Sequence, residues 1–314
     1  VRKILLIDIR LFLYQHYHRK ESLLNVFKVL SELPIPQMNR VFFVFDDGKS
    51  FYHKKLYTEY KENRSERREA MSPEEKERYA EFSKQYKAIK EICRYFGTII
   101  SIPNTEADTM LEILADTFLK QSNEVYIASG DGDFMCSLDR PNLYQVTPRG
   151  EVLDYQAVIN KKGATPYQLF LSKCLSGDIK DNLIALQGLG EIKDTKTGIK
   201  LKKIFQEVGD YWRDVVDTLQ TQVDKGKLKL PENYPPNAPV KSVEDLYYFN
   251  YRLNEPYTYN MLTQEHQDEL VKQTNTKKLL WDADEVEMKI FEEFVVGLYI
   301  DTGMKRFYIL KEDK

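Results

Sequence analysis

Three continuously apolar runs lead straight into carboxylates. Ile4-Leu5-Leu6-Ile7 ends at Asp8, Val41-Phe42-Phe43-Val44-Phe45 at Asp46-Asp47, and Val125-Tyr126-Ile127-Ala128 at Ser129-Gly130-Asp131-Gly132-Asp133-Phe134. A strand that is apolar at every position has both faces covered, as in a parallel sheet between helix layers. Helical apolar spacing separates the runs: Leu11 to Tyr14, Leu23 to Leu33 closed by Pro34-Ile35-Pro36, and Met110, Leu111, Leu114, Ala115 and Phe118. Thr98 to Ile102 and Leu143 to Val146 read as further strands, the latter followed by a turn at Thr147-Pro148-Arg149-Gly150. This alternation predicts an α/β fold with a mostly parallel central sheet.

The stretch from Ser129 to Phe134 has two readings. Asp-Gly pairs are common in turns. Two carboxylates so close also repel unless a cation sits between them. The rest of the chain bears on that choice. Carboxylates recur at Asp8, Asp46, Glu106 with Asp108, Asp131 with Asp133, and Asp178 with Asp181. In an open parallel sheet ligands bind beyond the carboxyl ends of the strands, so the strand order would bring these acids to one crevice. Glu106 and Asp108 sit at a helix start, where the dipole alone also favours acids. Asp178 and Asp181 are spaced to share one face of a helical turn. Ligation by carboxylates without His or Cys selects Mg²⁺ or Mn²⁺ over Zn²⁺. Two such ions can activate water and stabilise the leaving oxygen of a phosphodiester.

Residues 49–90 change character, with 12 Lys or Arg against 8 Glu and many tyrosines. Tyr60-Lys61-Glu62-Asn63-Arg64 stands just ahead of Arg67-Arg68, and Ser72-Pro73-Glu74-Glu75 predicts a helix start. A solvated helix laced with ion pairs fits this segment. So does a basic, aromatic arch for single-stranded nucleic acid.

Tyr167 to Leu175 reads as a helix running into Ser176-Gly177-Asp178-Ile179-Lys180-Asp181-Asn182. Leu186-Gln187-Gly188-Leu189-Gly190 is a glycine-bounded turn, followed by Lys193, Lys196, Lys200, Lys202 and Lys203. Helix, Gly-x-Gly turn, helix can present backbone amides to a DNA phosphate; it can also be a plain tight connection. Tyr211 to Val223 reads as a helix, Lys225 to Pro239 as a polar connection, and further helices follow, including Ala283 to Tyr299. The aromatic residues from Tyr247 to Tyr259 fit core packing first and partner binding second.

Composition excludes several classes. Cys93, Cys136 and Cys174 lie far apart with no CxxC pair, which argues against structural zinc and a disulfide framework and fits a reducing cytosol. No apolar run approaches the ~20 residues of a membrane span, and the first residues do not read as a signal peptide. A phosphate loop and a dinucleotide fingerprint are both missing. The net charge of −3 does not announce nucleic acid, but an acidic metal site would mask a basic surface elsewhere. Asp8-Ile9-Arg10 lacks the second Asp of a haloacid-type phosphatase, and His16 and His18 form an isolated pair.

Taken together, Tyr60-Lys61-x-Asn63-Arg64, Glu106-Ala107-Asp108, Ser129-Gly130-Asp131-Gly132-Asp133 and Gly177-Asp178-x-x-Asp181-Asn182 resemble the motifs, in order, of the structure-specific 5′-nucleases. These are flap endonucleases, polymerase-linked 5′ exonucleases and phage enzymes, and the likeness is nearest to the T-even phage RNase H members. It covers about residues 1–210. It implies a PIN-like nuclease domain over 1–175 with an arch at about 49–90. A helix-hairpin-helix-type DNA-binding region and a helical C-terminal region would fill 176–314. Asp8, Asp46, Glu106, Asp108 and Asp131 would build a first Mg²⁺ site, with Mn²⁺ able to substitute, and Asp133, Asp178 and Asp181 would support a second. Lys61 and Arg64 match the arch residues that contact the scissile phosphate. Arg67, Arg68, Gly188, Gly190, Lys193, Lys196, Lys200, Lys202 and Lys203 would meet DNA, with a K⁺ in the hairpin. The implied substrates are branched or 5′-ended DNA and RNA–DNA duplexes. The implied setting is a monomer in the cytoplasm of an infected bacterium, working with a single-stranded-DNA-binding protein or another replisome component.

Three departures from that pattern stand out: Ile9-Arg10 in place of small or polar residues, Thr109 where many relatives carry an acid, and an expansion over Glu191 to Gly198. A PIN-like endoribonuclease shares the sheet but gives no reason for the hairpin. A non-catalytic DNA-binding replication accessory protein gives no reason for eight acids.

Overall fold

The computed structural model describes residues 1–14, 33–34, 37–94, 96–190, 199–232, 234 and 240–276. Most of the expected helix at Leu23 to Leu33, the His16 and His18 pair, Lys193, Lys196, the 191–198 expansion and the helix at Ala283 to Tyr299 lie outside the described residues.

The chain opens with β1 (Lys3–Asp8), whose last five residues are buried in succession, and passes at once into α1 (Ile9–Tyr14). β2 (Arg40–Val44) pairs parallel with β1, placing Asp8 beside Val44. Residues 49–90 are largely helical: α2 (Phe51–Leu56), α3 (Asn63–Glu69) and most of α4 (Pro73–Cys93). The predicted start of α4 is a reciprocal cap, with Ser72 Oγ accepting from Glu75 N and Glu75 accepting from Ser72 N. β3 (Thr98–Ile100), α5 (Ala107–Lys120), β4 (Glu124–Ala128), β5 (Leu143–Val146) and β6 (Val152–Leu153) follow.

The sheet order is β3-β2-β1-β4-β5-β6. Its first five strands are parallel, and β6, which the sequence does not announce, is antiparallel to β5. The chain therefore builds outward from β1 on one side, then returns to build on the other. The crevice between β1 and β4 is the switch point where such sheets bind ligands.

Two apolar cores stand out among the described residues. Leu6, Phe42, Val44 and Ile127 of the sheet pack with Met110, Leu111, Leu114 and Phe118 of α5, and Tyr257, Leu262 and Leu270 join them. The second core is helical. It draws on α7 (Pro166–Ser176), which follows α6 (Tyr155–Lys162), and on α8 (Leu201–Val208), α9 (Trp212–Asp224) and α10 (Val243–Asn254). α7 begins with a capping box, Thr165 with Gln168, and Pro166 at its first position. The polar connection 225–239 contributes Leu228 and a fully buried Tyr234 to this core.

Between α7 and α8 the backbone is more elaborate than a bare glycine turn. Asp178 and Leu183 form an antiparallel bridge around a 3₁₀ turn at Ile179–Asp181. Gln187 bridges to Lys229, and Leu189–Gly190 pairs parallel with Ile199–Lys200. The last helix among the described residues, α11 (Gln264–Asn275), covers the β3 edge: the Gln273 amide accepts from Ser101 N and donates to Ser101 O. Among the described residues no helix is long and apolar enough to cross a membrane.

Candidate active site

Each acid is placed by an element boundary. Asp8 closes β1; its carboxylate accepts from Leu11 N at 3.2 Å and from Ser129 Oγ at 3.2 Å. Asp46 lies just past β2 and accepts from Ala107 N, an amide at the start of α5, at 2.8 Å. Its other oxygen meets Arg10 Nη1 at 3.0 Å, so the Ile9-Arg10 departure supplies a cation. Glu106 is the N-cap of α5 and Asp108 lies in its first turn. Asp131 caps the 3₁₀ turn Gly132–Ser137 by accepting from Asp133 N at 3.1 Å. The stretch from Ser129 to Phe134 is thus a turn, and it also carries two acids into the crevice.

Asp133, Asp178 and Asp181 come together most closely. Each offers a carboxylate oxygen within 4.8 Å of the others. Lys61 joins this trio to the remaining acids: its Nζ lies 2.9 Å from Glu106, 3.8 Å from Asp108 and 3.9 Å from Asp181. Arg64 meets Asp181 at 2.8 Å. Lys173 of α7 meets Asp133 at 2.6 Å and Asp178 at 3.9 Å.

The charge is concentrated enough to shift proton affinities. Burial, reinforced by Asp46, pushes the Asp8 carboxyl up to about 7. Burial and Asp108 together raise Glu106 to about 7 against the pull of Lys61. Asp131 and Asp178 also rise, through burial and then through Asp133 and Asp181 respectively. Burial opposes ionisation at Asp108 too, but Lys61 and then His53 outweigh it and hold that carboxyl low. Carboxylates that bind protons this readily, with only hard oxygen donors among them, fit a divalent cation of the Mg²⁺ or Mn²⁺ kind.

Several residues of the site carry no sequence signal of their own. Lys173 lies one helical turn before Gly177, a spacing that would have drawn attention only with Asp178 already in view. Gln145, buried on β5, donates its amide to Ser129 O at 2.8 Å and to Asp131 O at 2.6 Å, so it holds the acidic loop against the sheet. Gly132 is not where glycine is required, since a Cβ there would meet open space. Thr109 is buried, and its Oγ1 has no hydrogen-bond partner among the described residues.

Arg67 and Arg68 are exposed in the last turn of α3, with the Arg68 guanidinium 5.6 Å from the centre of the Tyr79 ring. Lys200, Lys202 and Lys203 are exposed at the start of α8, where Lys203 pairs with Glu207. Gly188 is exposed with φ +87°, and Gly190 is buried in its short ladder.

Residues 3–163, just over half of the chain, match the family described as the 5′-3′ exonuclease, N-terminal resolvase-like domain. The chain belongs to this family. A relative is the 5′-3′ exonuclease of Aquifex aeolicus, 27% identical over 267 residues, covering 84% of this chain and 81% of that protein. The thermostable DNA polymerase I of Thermus thermophilus is 32% identical over 190 residues, or 60% of this chain, which spans only 21% of the polymerase. Among solved structures, the bacteriophage T5 flap endonuclease in complex with DNA and metal ions superposes with a TM-score of 0.59 at 17% identity, covering 99% of this chain and all of that one. The catalytic core of Rad2 with DNA substrate gives 0.51 at 14% identity, covering 99% and 91%. At such identities the structural likeness speaks to the fold: a PIN-like, mostly parallel sheet with surrounding helices.

Proposed function

We propose that this chain is a Mg²⁺-dependent structure-specific 5′-nuclease, acting as a 5′-3′ exonuclease and flap endonuclease on RNA primers or DNA flaps during phage DNA replication. The observation that carries the reading is Lys61, whose ammonium group ties Glu106 and Asp108 to Asp181 of the second acid cluster. Asp8, Asp46, Glu106, Asp108 and Asp131 would hold one Mg²⁺, and Asp133, Asp178 and Asp181 a second, with Mn²⁺ able to substitute. Bound there, the ions would supply water activation and Lewis acidity for phosphodiester hydrolysis.

The protein's own groups do the rest. Lys61 and Arg64 face the acids and can turn to a phosphoryl oxygen, where they stabilise developing negative charge. The hydrogen-bonded carboxylates of buried Asp8 and half-buried Asp46 stay fixed while this happens. Arg67, Arg68, Lys200, Lys202 and Lys203, with Gly188, Gly190, Lys193 and Lys196, would position the DNA backbone without reading sequence. In this reading residues 1–175 form the nuclease domain, and 176–314 add Asp178 and Asp181 together with the DNA-binding hairpin, with a K⁺ in it, and the helical C-terminal region. The substrates are branched or 5′-ended DNA and RNA–DNA duplexes, in a monomer acting beside a single-stranded-DNA-binding protein in the infected host's cytoplasm.

The test is product mapping on labelled 5′-flap DNA and on an RNA-primed duplex, with Mg²⁺ or Mn²⁺ and with single-stranded RNA as control. Cleavage near the 5′ junction is expected. Failure to cut either duplex, or cleavage of the single-stranded RNA alone, would refute the reading.

A further inference from the structure

We infer that His53 is a positioning residue for Lys61, and that it joins the arch to the end of α10 at the active site. This rests on the proposed role of Lys61 but follows from contacts of its own.

His53 is 5% exposed, and its imidazole stacks on the Tyr60 ring at 4.2 Å between centroids with 9° between planes. Both ring nitrogens are engaged. Nε2 lies 3.2 Å from the Leu253 carbonyl oxygen, which can only accept, so Nε2 carries the proton. Nδ1 lies 2.6 Å from Ser50 Oγ and accepts the hydroxyl proton. The Leu253 carbonyl fixes this tautomer, with Nδ1 also 4.0 Å from Glu106 Oε2. On the α10 side, Tyr257 meets the ring nearly edge-on at 5.0 Å.

The stack reaches Lys61 through Tyr60. Tyr60 precedes it in the chain, and the Tyr60 hydroxyl donates to Asp181 at 3.4 Å. Lys61 Nζ lies 4.8 Å from the centre of the Tyr60 ring. The Lys61 backbone has φ +56°, and its N–H donates to Asp181 O at 3.2 Å. A non-glycine residue keeps such a backbone only where its surroundings over-determine it. His53 is the floor of that arrangement. Without the ring, Tyr60 drops into the space it leaves and Lys61 relaxes away from Glu106, Asp108 and Asp181.

The test is a double-mutant cycle on a labelled 5′-flap at saturating Mg²⁺, with kcat and KM measured separately. His53→Ala is expected to lower kcat about tenfold while KM stays within about twofold. His53→Phe, which keeps a flat ring against Tyr60, should recover most of that loss. In a Lys61→Ala background, His53→Ala should change kcat by less than about twofold. Should His53→Ala not fold, Tyr60→Leu breaks the same stack from the other side and enters the same cycle. Losses that multiply in the double variant, or a Phe variant that folds without recovering kcat, overturn the inference alone. If Lys61→Ala cleaves at the wild-type rate, the role assigned to Lys61 falls and this inference with it.

Discussion

Lys173 Nζ stands 2.6 Å from Asp133 Oδ2, across the two outer carboxylates of the tightest acid cluster in the described residues. Its ammonium group is held well above the ordinary lysine range: burial opposes this, but Asp133 and then Asp181 and Asp178 outweigh it. A divalent ion approaching Asp133, Asp178 and Asp181 meets that positive charge. Lys173→Met is therefore expected to tighten Mg²⁺ or Mn²⁺ binding, by roughly tenfold for a charge this close. It should also lower the melting temperature in EDTA, where the acids lose their counter-charge. Calorimetric metal titration reads the first effect; weaker binding in the variant would contradict it.

Asp8 and Glu106 both take up a proton near pH 7. Their proton affinities are raised by folding, so protonation stabilises the metal-free fold. That contribution is largest near pH 4 and is lost as pH rises through about 7. Metal binding runs the other way, because the ions need these carboxylates ionised. In EDTA the melting temperature should fall between pH 6 and pH 8, and the fall should be smaller in Asp8→Asn. Apparent Mg²⁺ affinity should rise several-fold over the same interval. Identical EDTA melting slopes in wild type and Asp8→Asn would refute the assignment to Asp8.

Gly177 has φ 64° and ψ −171°, a backbone region open essentially to glycine alone. A Cβ there would lie 2.4 Å from Leu183 O and 2.7 Å from Ile184 C. Gly177→Ala should cost at least about 3 kcal/mol and displace Asp178. Gly132→Ala, in the acidic loop, should stay within about 0.5 kcal/mol of wild type. Urea denaturation of the pair checks the contrast, and equal losses would count against it.

Gln145 holds two carbonyls, one buried and one half-buried, with one amide nitrogen. Gln145→Leu leaves both unpaired, a cost of about 1–3 kcal/mol. Ser129 and Asp131 would lose their anchor to β5, so metal affinity should fall while DNA binding in EDTA stays unchanged. Filter binding and metal titration separate the two, and unaltered metal affinity would show that the loop holds itself.

The sheet was legible because its strands are buried on both faces, leaving Ile4 to Ile7 and Val41 to Phe45 without a polar residue. Asp8, Asp46, Glu106, Asp108, Asp131 and Asp133 were legible because they follow such a run or open a helix. Asp178 and Asp181 do share one side of the crevice, but through a 3₁₀ turn pinned by the Asp178–Leu183 bridge. Lys173, His53 and Gln145 were not legible. Each matters through its partners, among them one 40 residues away for Lys173, one 200 away for His53 and one 14 away for Gln145. Composition hid Tyr234 for the opposite reason, since a polar, proline-rich stretch carries it into the core.

The bond from His53 to the Leu253 carbonyl spans 200 residues. During synthesis the last of the eight acids, Asp181, leaves the ribosome well before Leu253 does. A nascent chain therefore carries every candidate metal ligand before it has the seat that sets Lys61. The translating cell, crowded with nucleic acid, meets the acids first and the assembled crevice only once most of the polypeptide is free to fold.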